Sequence, residues 1–551
     1  MAPTIVSVSS RRDLSRRSLL QTTLLGTAGA ALAPALSAGR ALAAAATASP
    51  VKPFRFEEAA ISDLQARMKS GELSAHALTA AYLGRIDDID KSGPRLNSVI
   101  EVNPEALAIA EELDKERKQK GPRGPMHGIP VLIKDNIDTA DRMQTTAGSL
   151  ALVGSRPAQD SAVARKLRDA GAIILGKTNL SEWANIRSSH STSGWSGRGG
   201  LTRNPYALDR NACGSSSGSG AATSASLCTV AVGSETDGSI VCPSSANGIV
   251  GIKPTLGLIS RAGIIPIAHS QDTAGPMART VHDAAILLGV LAGSDARDSA
   301  TADADGKKSA DYTQFLDPNG LRGARIGVAR KYFGFSDSVD ELMNRAIAEM
   351  KAAGAEIIDP ADLESHGKFD DTELLVLMYE LKADLNSYLA QRPGARVRSL
   401  VDVITFNEKN KDKEMPYFGQ DLFLKAQDKN PLTDKEYNAA LAANHSLSRE
   451  HGIDGVMEKF RLDALVAPTG GPAWLTDLAN GDHAVGGSSN AAAVAGYPNI
   501  NVPAGFVFGL PVGISFFGRA WSEPTLLKIA YGFEQLVKAR KAPEFLPSMK
   551  V

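Results

Sequence analysis

Apolar and polar positions follow two patterns along this chain, a helical period and short runs that are wholly apolar. The helical period predicts helices over residues 61–71, with Ser62 as the N-terminal cap, and over residues 74–90. Apolar runs over residues 131–133 and 173–175 predict short buried strands. Helices and strands therefore alternate from the start of the patterned region.

The same alternation continues towards the C-terminus. A strand–helix–strand unit is predicted over residues 324–360, and a final helix follows a cap at Ser522. Alternation of this kind predicts an α/β protein in which helices cover a mostly parallel or mixed sheet. Because the sequence contains no repeat and no clean linker, we expect a single large domain with a central mixed, twisted sheet and helices on both faces.

Composition and charge narrow the class of protein. The chain has 551 residues, 43% apolar and 22% charged, with a formal net charge of −1. These values are typical of a soluble globular protein. They show no excess of basic residues of the kind expected in a protein that binds nucleic acid. The three cysteines, Cys213, Cys228 and Cys242, lack the spacing of a zinc site or a disulfide framework. We interpret each as a small buried apolar residue, and we expect no metal and no cofactor.

The first 43 residues differ from the rest and indicate export. Arg16 and Arg17 precede a short apolar run, and Ala41 to Ala43 form an A-x-A cleavage pattern. The form is similar to a twin-arginine signal, which an export machinery reads as an address. An amphipathic helix or a membrane anchor is the alternative, but the run is shorter than the roughly 20 apolar residues that a bilayer span needs. We expect residues 1–43 to be a signal peptide cleaved near Ala43. The mature protein would be periplasmic or extracellular, without stable membrane association.

Two loops rich in glycine and serine lie in the middle of the chain. The first, CGSSSGSG, covers residues 213–220, and the second, GSETDGS, covers residues 233–239. A flexible linker would account for one such tract, but not for a matched second one. The residues between the loops predict a helix over 221–226 and a buried strand, an arrangement that brings Ser215 and Ser239 near each other.

A serine hydroxyl needs a neighbouring base to become a nucleophile. None of the nine histidines lies in a helpful local motif. Residues 214–218 match G-x-S-x-G, the nucleophile elbow of α/β-hydrolases with Ser216 as nucleophile, but the strand that must precede an elbow is not predicted. The other base is a lysine kept neutral by burial, and the candidate is Lys134 at the end of an apolar strand. A lysine that simply reaches solvent from a strand end is the alternative for this residue.

Three blocks of the sequence together resemble the amidase signature family: GIPVLIKDNID (128–138), CGSSSGSGAA (213–222) and GSETDGSIVCPSSANGIVGIKPTLGLISRAGIIP (233–266). The likeness implies an amidase domain over residues 55–540. Within that family, the stretches over residues 203–220 and 259–280 are most similar to bacterial peptide amidases, which remove the C-terminal amide from peptides.

The resemblance implies a Ser–cisSer–Lys triad. Ser239 would be the nucleophile, and neutral Lys134 would be the base. Ser215, joined to Gly214 by a cis peptide bond, would relay the proton between them. Ser216 would support the triad by hydrogen bonding, and a plain loop serine is the alternative for this residue.

The resemblance also implies an oxyanion hole built from the backbone N–H groups of Thr236, Asp237, Gly238 and Ser239. The chain departs here from many family members, because Asp237 replaces a glycine and Val241 replaces an arginine. We interpret both as marks of the peptide-amidase branch. They weaken any transfer of arginine-based interactions from the family.

On this resemblance we expect an amidase that hydrolyses the C-terminal carboxamide of peptides to free acid and ammonia through an acyl-enzyme. The alternative is an amidase of small aryl or aliphatic amides. A glutamine-hydrolysing component of a tRNA amidotransferase belongs to the same family, but an export signal argues against it. A binding protein without catalysis is disfavoured by the retained Lys134, Ser215 and Ser239. The expected partners are a peptide amide or another small amide substrate, and the export machinery.

Overall fold

One mixed β-sheet of eleven strands runs through the part of the protein that the computed structural model describes, residues 51–550. The predicted signal peptide, residues 1–43, lies outside these residues. In chain order the strands are β1 Val99–Val102, β2 Pro130–Lys134, β3 Ile173–Thr178, β4 Trp195–Ser196, β5 Gly200–Leu201, β6 Val230–Glu235, β7 Val250–Lys253, β8 Thr273–Ala278, β9 Arg325–Val328, β10 Glu356–Ile358, β11 Ala464–Pro468, β12 Asn499–Val507 and β13 Leu510–Phe517.

The sheet has the order β1-β3-β2-β6-β8-β7-β12-β13-β11-β9-β10, while β4 and β5 pair with each other. β2 is parallel to its neighbours β3 and β6, and β9 is parallel to its neighbours β10 and β11. The other pairs are antiparallel. β2, β3 and β6 are buried along their whole length, which is why their sequences are apolar runs and do not alternate. The predicted α/β class with a mixed sheet is confirmed.

Helices flank the sheet and bury apolar side chains against it. The largest core cluster contains Leu64, Ile133, Leu288 and Phe516, among others. In chain order the α-helices are α1 Ile61–Ser70, α2 Ala75–Arg85, α3 Ala106–Lys120, α4 Ala162–Asp169, α5 Ser217–Ser224, α6 Val241–Ala246, α7 Val281–Leu291, α8 Asp337–Ala352, α9 Asp370–Gln391, α10 Leu400–Lys409, α11 Lys411–Glu414, α12 Asp421–Gln427, α13 Lys435–Ser448, α14 Asp454–Phe460, α15 Asn490–Ala495 and α16 Glu523–Val537.

The starts of the first two helices differ in how they are capped. Helix α2 begins as predicted, because the Ser74 hydroxyl accepts a hydrogen bond from the N–H of Ala77 at 3.0 Å. The predicted cap of α1, Ser62, is wrong. That helix begins at Ile61, two residues before the start that a cap at Ser62 would set, and the N–H of Ile61 donates to the carboxylate of Asp283 at 3.2 Å. Since Asp283 belongs to α7, this cap has no local signal in the sequence.

The first glycine–serine loop is more helical than its composition predicts. The helix expected over residues 221–226 is α5, which spans Ser217–Ser224 and so includes half of the loop. Glycine allows this helix to pack closely, because a Cβ on Gly218 would lie 2.2 Å from the carbonyl oxygen of Ser98. Close packing against the chain overrides the weak helix propensity of glycine and serine.

The interpretation of the cysteines is wrong for two of the three. Cys213 and Cys242 form a disulfide with their Cα atoms 6.0 Å apart. Cys228 is free and buried, as expected. The two bonded residues are 29 positions apart, and they meet only because α5 and β6 fold the chain back on itself. Spacing in the sequence does not reveal that proximity.

The charged stretch around residues 390–440 belongs to a helical layer built on α9. Leu377, Leu381 and Leu385 of α9 pack in a second apolar cluster with Trp183 and Phe423. The stretch is therefore helical with a buried inner face and a solvated outer face, in line with the prediction. Within residues 51–550, no helix is both long enough and apolar enough to cross a bilayer.

Candidate active site

Lys134, the last residue of β2, ends inside the protein and does not reach solvent. Its side chain is fully buried. Its Nζ atom lies 2.7 Å from the Oγ atom of Ser215, 2.9 Å from the Oγ atom of Ser234 and 3.0 Å from the Ser234 carbonyl oxygen. The alternative of a solvent-seeking lysine is therefore wrong, and the lysine and serine predicted to act together are in direct contact.

Burial changes the chemistry of this lysine. Loss of hydration disfavours the charged form and lowers the pKa of Lys134 from 10.5 to about 7. The negative charges of Asp272 and Glu235 act in the opposite direction and keep the pKa from falling further. A large fraction of Lys134 is therefore neutral near pH 7, as a general base requires.

The loop that carries Ser215 is held tightly. The Gly214–Ser215 peptide bond is cis, as the family resemblance implies. The Ser215 carbonyl oxygen accepts from the N–H of Ser181 at 3.1 Å. A Cβ at position 214 would lie 2.2 Å from the Ser181 hydroxyl, so only glycine fits there.

Ser216 connects the two glycine–serine loops. Its hydroxyl donates to the carbonyl oxygen of Ser234 at 3.0 Å, and its N–H donates to the carbonyl oxygen of Ser239 at 3.2 Å. These contacts fit the predicted supporting role. They do not fit the nucleophile elbow, because Ser216 is fully buried and residues 202–216, which lead into it, contain no strand.

Ser239 ends the turn over residues 236–239, which follows β6 directly. Gly238 has φ +74°, a left-handed conformation that favours glycine. Within residues 51–550, the N–H groups of Thr236, Asp237 and Ser239 donate to no protein acceptor. The N–H of Gly238 faces the carboxylate of Glu235. Three of the four predicted oxyanion donors are thus free to bind an oxygen of a substrate.

The disulfide joins the two loops covalently. Cys213 lies two residues before Ser215, and Cys242 lies three residues after Ser239. The covalent bond and the Ser216 hydrogen bonds therefore hold the two serine loops together. The disulfide is one part of the site that the sequence interpretation missed.

A cavity of about 190 Å³ reaches Ser234, one of the partners of Lys134, while Lys134, Ser215 and Ser239 are not among its lining residues. Asn136, Ser234 and Thr236 lie on its polar side, and residues 264–267 form an apolar side. The Nδ2 atom of Asn136 donates to the Ser234 hydroxyl at 2.9 Å. Asn136 and Ser234 lie within the blocks that carry the resemblance, so their positions were visible in the sequence, but their contact with the lysine was not.

Comparisons with known proteins agree with this geometry. Residues 77–527 match the family described as Amidase. The chain belongs to the amidase signature family. Its match extends over most of the predicted domain and includes Lys134, Ser215 and Ser239.

Individual members of the amidase signature family cover nearly the whole chain. A protein of Arabidopsis thaliana named as a probable amidase is 42% identical over 502 residues, 90% of this chain and 93% of its own. A glutamyl-tRNA(Gln) amidotransferase component from Carboxydothermus hydrogenoformans is 34% identical over 87% of this chain and 97% of its own.

Solved structures of relatives include peptide amidases. The native peptide amidase of Stenotrophomonas maltophilia is 51% identical, with a TM-score of 0.85 over 90% of this chain and 100% of that chain. A peptide amidase with the same identity to this chain has been solved with the competitive inhibitor chymostatin. As a family member with such neighbours, the protein is an amidohydrolase that acts on amides.

Proposed function

We propose that this amidase hydrolyses the C-terminal carboxamide of peptides to a free acid and ammonia, with Ser239 as nucleophile. The observation that carries the proposal is the 2.7 Å contact between Lys134 Nζ and Ser215 Oγ, both of them buried side chains. The 51% identity to a peptide amidase supports the choice of substrate.

The proposed reaction moves one proton along a relay. Lys134 Nζ accepts a proton from Ser215 Oγ while Ser215 Oγ accepts one from Ser239 Oγ, and the Ser239 oxygen bonds to the carboxamide carbon. The C–N bond then breaks, the proton returns to the nitrogen, and ammonia leaves. Water attacks the resulting ester by the same relay and gives its proton to the departing Ser239 oxygen.

The oxyanion formed in each step needs donors that are already oriented. The free N–H groups of Thr236, Asp237 and Ser239 supply them. Because they belong to the turn that ends at the nucleophile, the donors and the attacking oxygen share one rigid segment.

An amidase of small aryl or aliphatic amides is the alternative, since the triad alone does not select a substrate. Glutamine hydrolysis is a second alternative, because a component of a tRNA amidotransferase is 34% identical. Both alternatives use the same three residues. Only the substrate distinguishes them from the proposal.

The test is ammonia release by the full chain from a dipeptide amide, a free amino-acid amide, an anilide and glutamine. We expect the highest kcat/KM with the dipeptide amide. Ser239→Ala should lower turnover by about 10⁴ or more without changing the fold. Ser224→Ala is the matched control, because Ser224 is a buried serine of α5 whose hydroxyl has no hydrogen-bond partner among residues 51–550, and it should keep turnover. Preference for the anilide or for glutamine would contradict the substrate, and an active Ser239→Ala would contradict the mechanism.

We also propose that the protein is exported by way of residues 1–43 and an export machinery that reads Arg16 and Arg17. The Cys213–Cys242 disulfide supports this proposal, because disulfides persist in oxidising compartments and are rare in the cytosol. The glutamine-dependent alternative loses support for the same reason.

A further inference from the structure

The turn over residues 236–239, which carries the proposed nucleophile, is hydrogen-bonded to a carboxylate from another part of the chain. Asp272, the residue before β8, accepts a hydrogen bond from the Thr236 hydroxyl at 2.6 Å. Its second oxygen accepts from the N–H groups of Ile267 and Ala268 at 2.8 and 3.0 Å. One carboxylate thus joins the start of the turn to the segment that forms the apolar side of the cavity.

Gln271, the residue before Asp272, forms a second hydrogen bond to Thr236. The Nε2 atom of Gln271 lies 3.3 Å from the Thr236 carbonyl oxygen and 2.9 Å from Oε1 of Glu373 in α9. Thr236 is therefore held through its hydroxyl and through its carbonyl group. With both fixed, the peptide planes of the turn have little freedom to rotate.

A second carboxylate accepts hydrogen bonds from the two residues that follow the turn. Glu235 Oε2 accepts from the N–H groups of Ile240 and Val241 at 2.6 and 3.0 Å. The four residues over 236–239 are therefore bracketed by Asp272 before the nucleophile and by Glu235 after it. Neither carboxylate was selected from the sequence, although Glu235 lies in a block and Asp272 in a stretch that carry the family resemblance.

We propose that Asp272 is a positioning residue of this amidase: it fixes the turn over residues 236–239 so that its free N–H groups face the carbonyl oxygen of the substrate. The inference rests on the proposed roles of Ser239 and Lys134. It adds the group that keeps the oxyanion donors oriented before the substrate arrives.

The charge of Asp272 also reaches the base. Asp272 is the charged group that most strongly raises the pKa of Lys134, and Glu235 is the other. The remaining groups against the Lys134 ammonium, from Ser215 and Ser234, are hydroxyls and a carbonyl. Burial raises the pKa of Asp272 itself to about 6, so that it is ionised over the range in which Lys134 loses its proton.

Asp272→Asn tests both effects at once. An asparagine amide has one oxygen, so it cannot accept from Thr236 and also from the two N–H groups of the cavity segment. We expect kcat to fall about 10²-fold with little change in KM, as when an oxyanion donor is lost. The acid limb of the kcat/KM profile should move to lower pH, because the charge that raises the pKa of Lys134 is gone. Loss of packing alone would not move that limb.

Two further variants keep the inference testable if Asp272→Asn folds poorly. Thr236→Val removes the hydroxyl that Asp272 holds but keeps the backbone donor, and it should lower kcat. Thr236→Ser restores the hydroxyl and should restore kcat. Asp384→Asn is the charge control, because Asp384 lines the same cavity but contacts His269 and not the turn, and it should leave the acid limb in place.

The outcomes separate this inference from the proposed function. All variants are assayed on whichever amide the wild-type protein turns over best, so an error in the substrate does not affect them. An inactive Ser239→Ala together with wild-type kcat and acid limb in Asp272→Asn would overturn the positioning role alone. Equal kcat in Thr236→Val and Thr236→Ser would overturn it as well.

Discussion

A lysine acts as a base near neutral pH only where its neutral form is stable. Lys134, Lys177 and Lys253 are all fully buried, and burial lowers the pKa of each, to about 7, 8 and 8. Burial alone therefore does not single out the catalytic base. What distinguishes Lys134 is its partners, since it contacts the hydroxyl of the proposed relay residue Ser215 and that of Ser234, which lines the cavity. Lys177 instead donates to the Ile137 carbonyl and the Thr145 hydroxyl.

The first prediction concerns the pH dependence of the reaction. Because Lys134 must be deprotonated to accept a proton and its pKa is about 7, kcat/KM should rise with pH, about tenfold per unit, and level off above pH 7. Steady-state ammonia release between pH 5 and 9 measures it. Lys134→Met should lower kcat by about 10³. Lys177→Met, matched in burial, should keep the profile of the wild-type protein, and a flat wild-type profile down to pH 5 would contradict the assignment of Lys134.

At the residue scale, the sequence predicts which residues carry out the reaction better than it predicts which residues contact one another. Lys134, Ser215 and Ser239 were found from the family blocks, and the structure places the first two in contact. Asp272 was not found, because its role depends on hydrogen bonds to Thr236 and Ile267, and a hydrogen bond across a loop leaves no mark in residue spacing.

At the scale of elements, the two serine loops depend on a covalent tie. The disulfide encloses α5 and β6, the helix and strand between the loops. Chain entropy gives a loop of this length about 3 to 4 kcal/mol of stabilisation. The tie also lies next to both proposed catalytic serines, so its loss should affect activity as well as stability.

The second prediction is that reduction weakens the site without unfolding the protein. After treatment with a reductant, kcat should fall several-fold and thermal inactivation should begin at a lower temperature. The fall is partial, because the hydrogen bonds of Ser216 still join the loops. The double variant Cys213→Ala/Cys242→Ala should behave like the reduced protein, and its kcat should not change when reductant is added. Cys228→Ala, which alters the free buried cysteine, should lose activity on reduction as the wild-type protein does. If reductant leaves the activity of the wild-type protein unchanged, the disulfide is dispensable for activity.

Elements with a strong period were predictable, whereas their ends often were not. The strands of the parallel core appeared as apolar runs because both their faces are buried. The cap of α1 was wrongly assigned because its first N–H donates to Asp283, and the bounds of α5 were misplaced because that helix depends on close packing at Gly218. In each case a distant partner decided the outcome, so local sequence could not predict it.

At the scale of the whole molecule, the disulfide must be compatible with the twin-arginine signal proposed for residues 1–43. Cargo of that pathway crosses the membrane already folded, so the thiols would meet the oxidising compartment only afterwards. The fold places Cys213 and Cys242 with Cα atoms 6.0 Å apart, a distance that suits a disulfide, and Cys242 is partly exposed. On the proposed route, the bond can therefore close after export without refolding.

The third prediction follows from that order of events. Arg16→Lys/Arg17→Lys should retain the chain in the cytoplasm in a folded, reduced form, because the altered pair is no longer read as an export address. Alkylation of the denatured protein should then modify three cysteines, against one in the exported wild-type protein, in which only Cys228 is free. Arg11→Lys/Arg12→Lys, a matched change within residues 1–43 that leaves the Arg16–Arg17 pair before the apolar run intact, should not prevent export. If the retained form hydrolyses the same amide but loses activity at a lower temperature, the disulfide is a stabilising step that follows folding. A retained form with one reactive thiol would show that the bond closes without export. In that case the disulfide would no longer support an oxidising location.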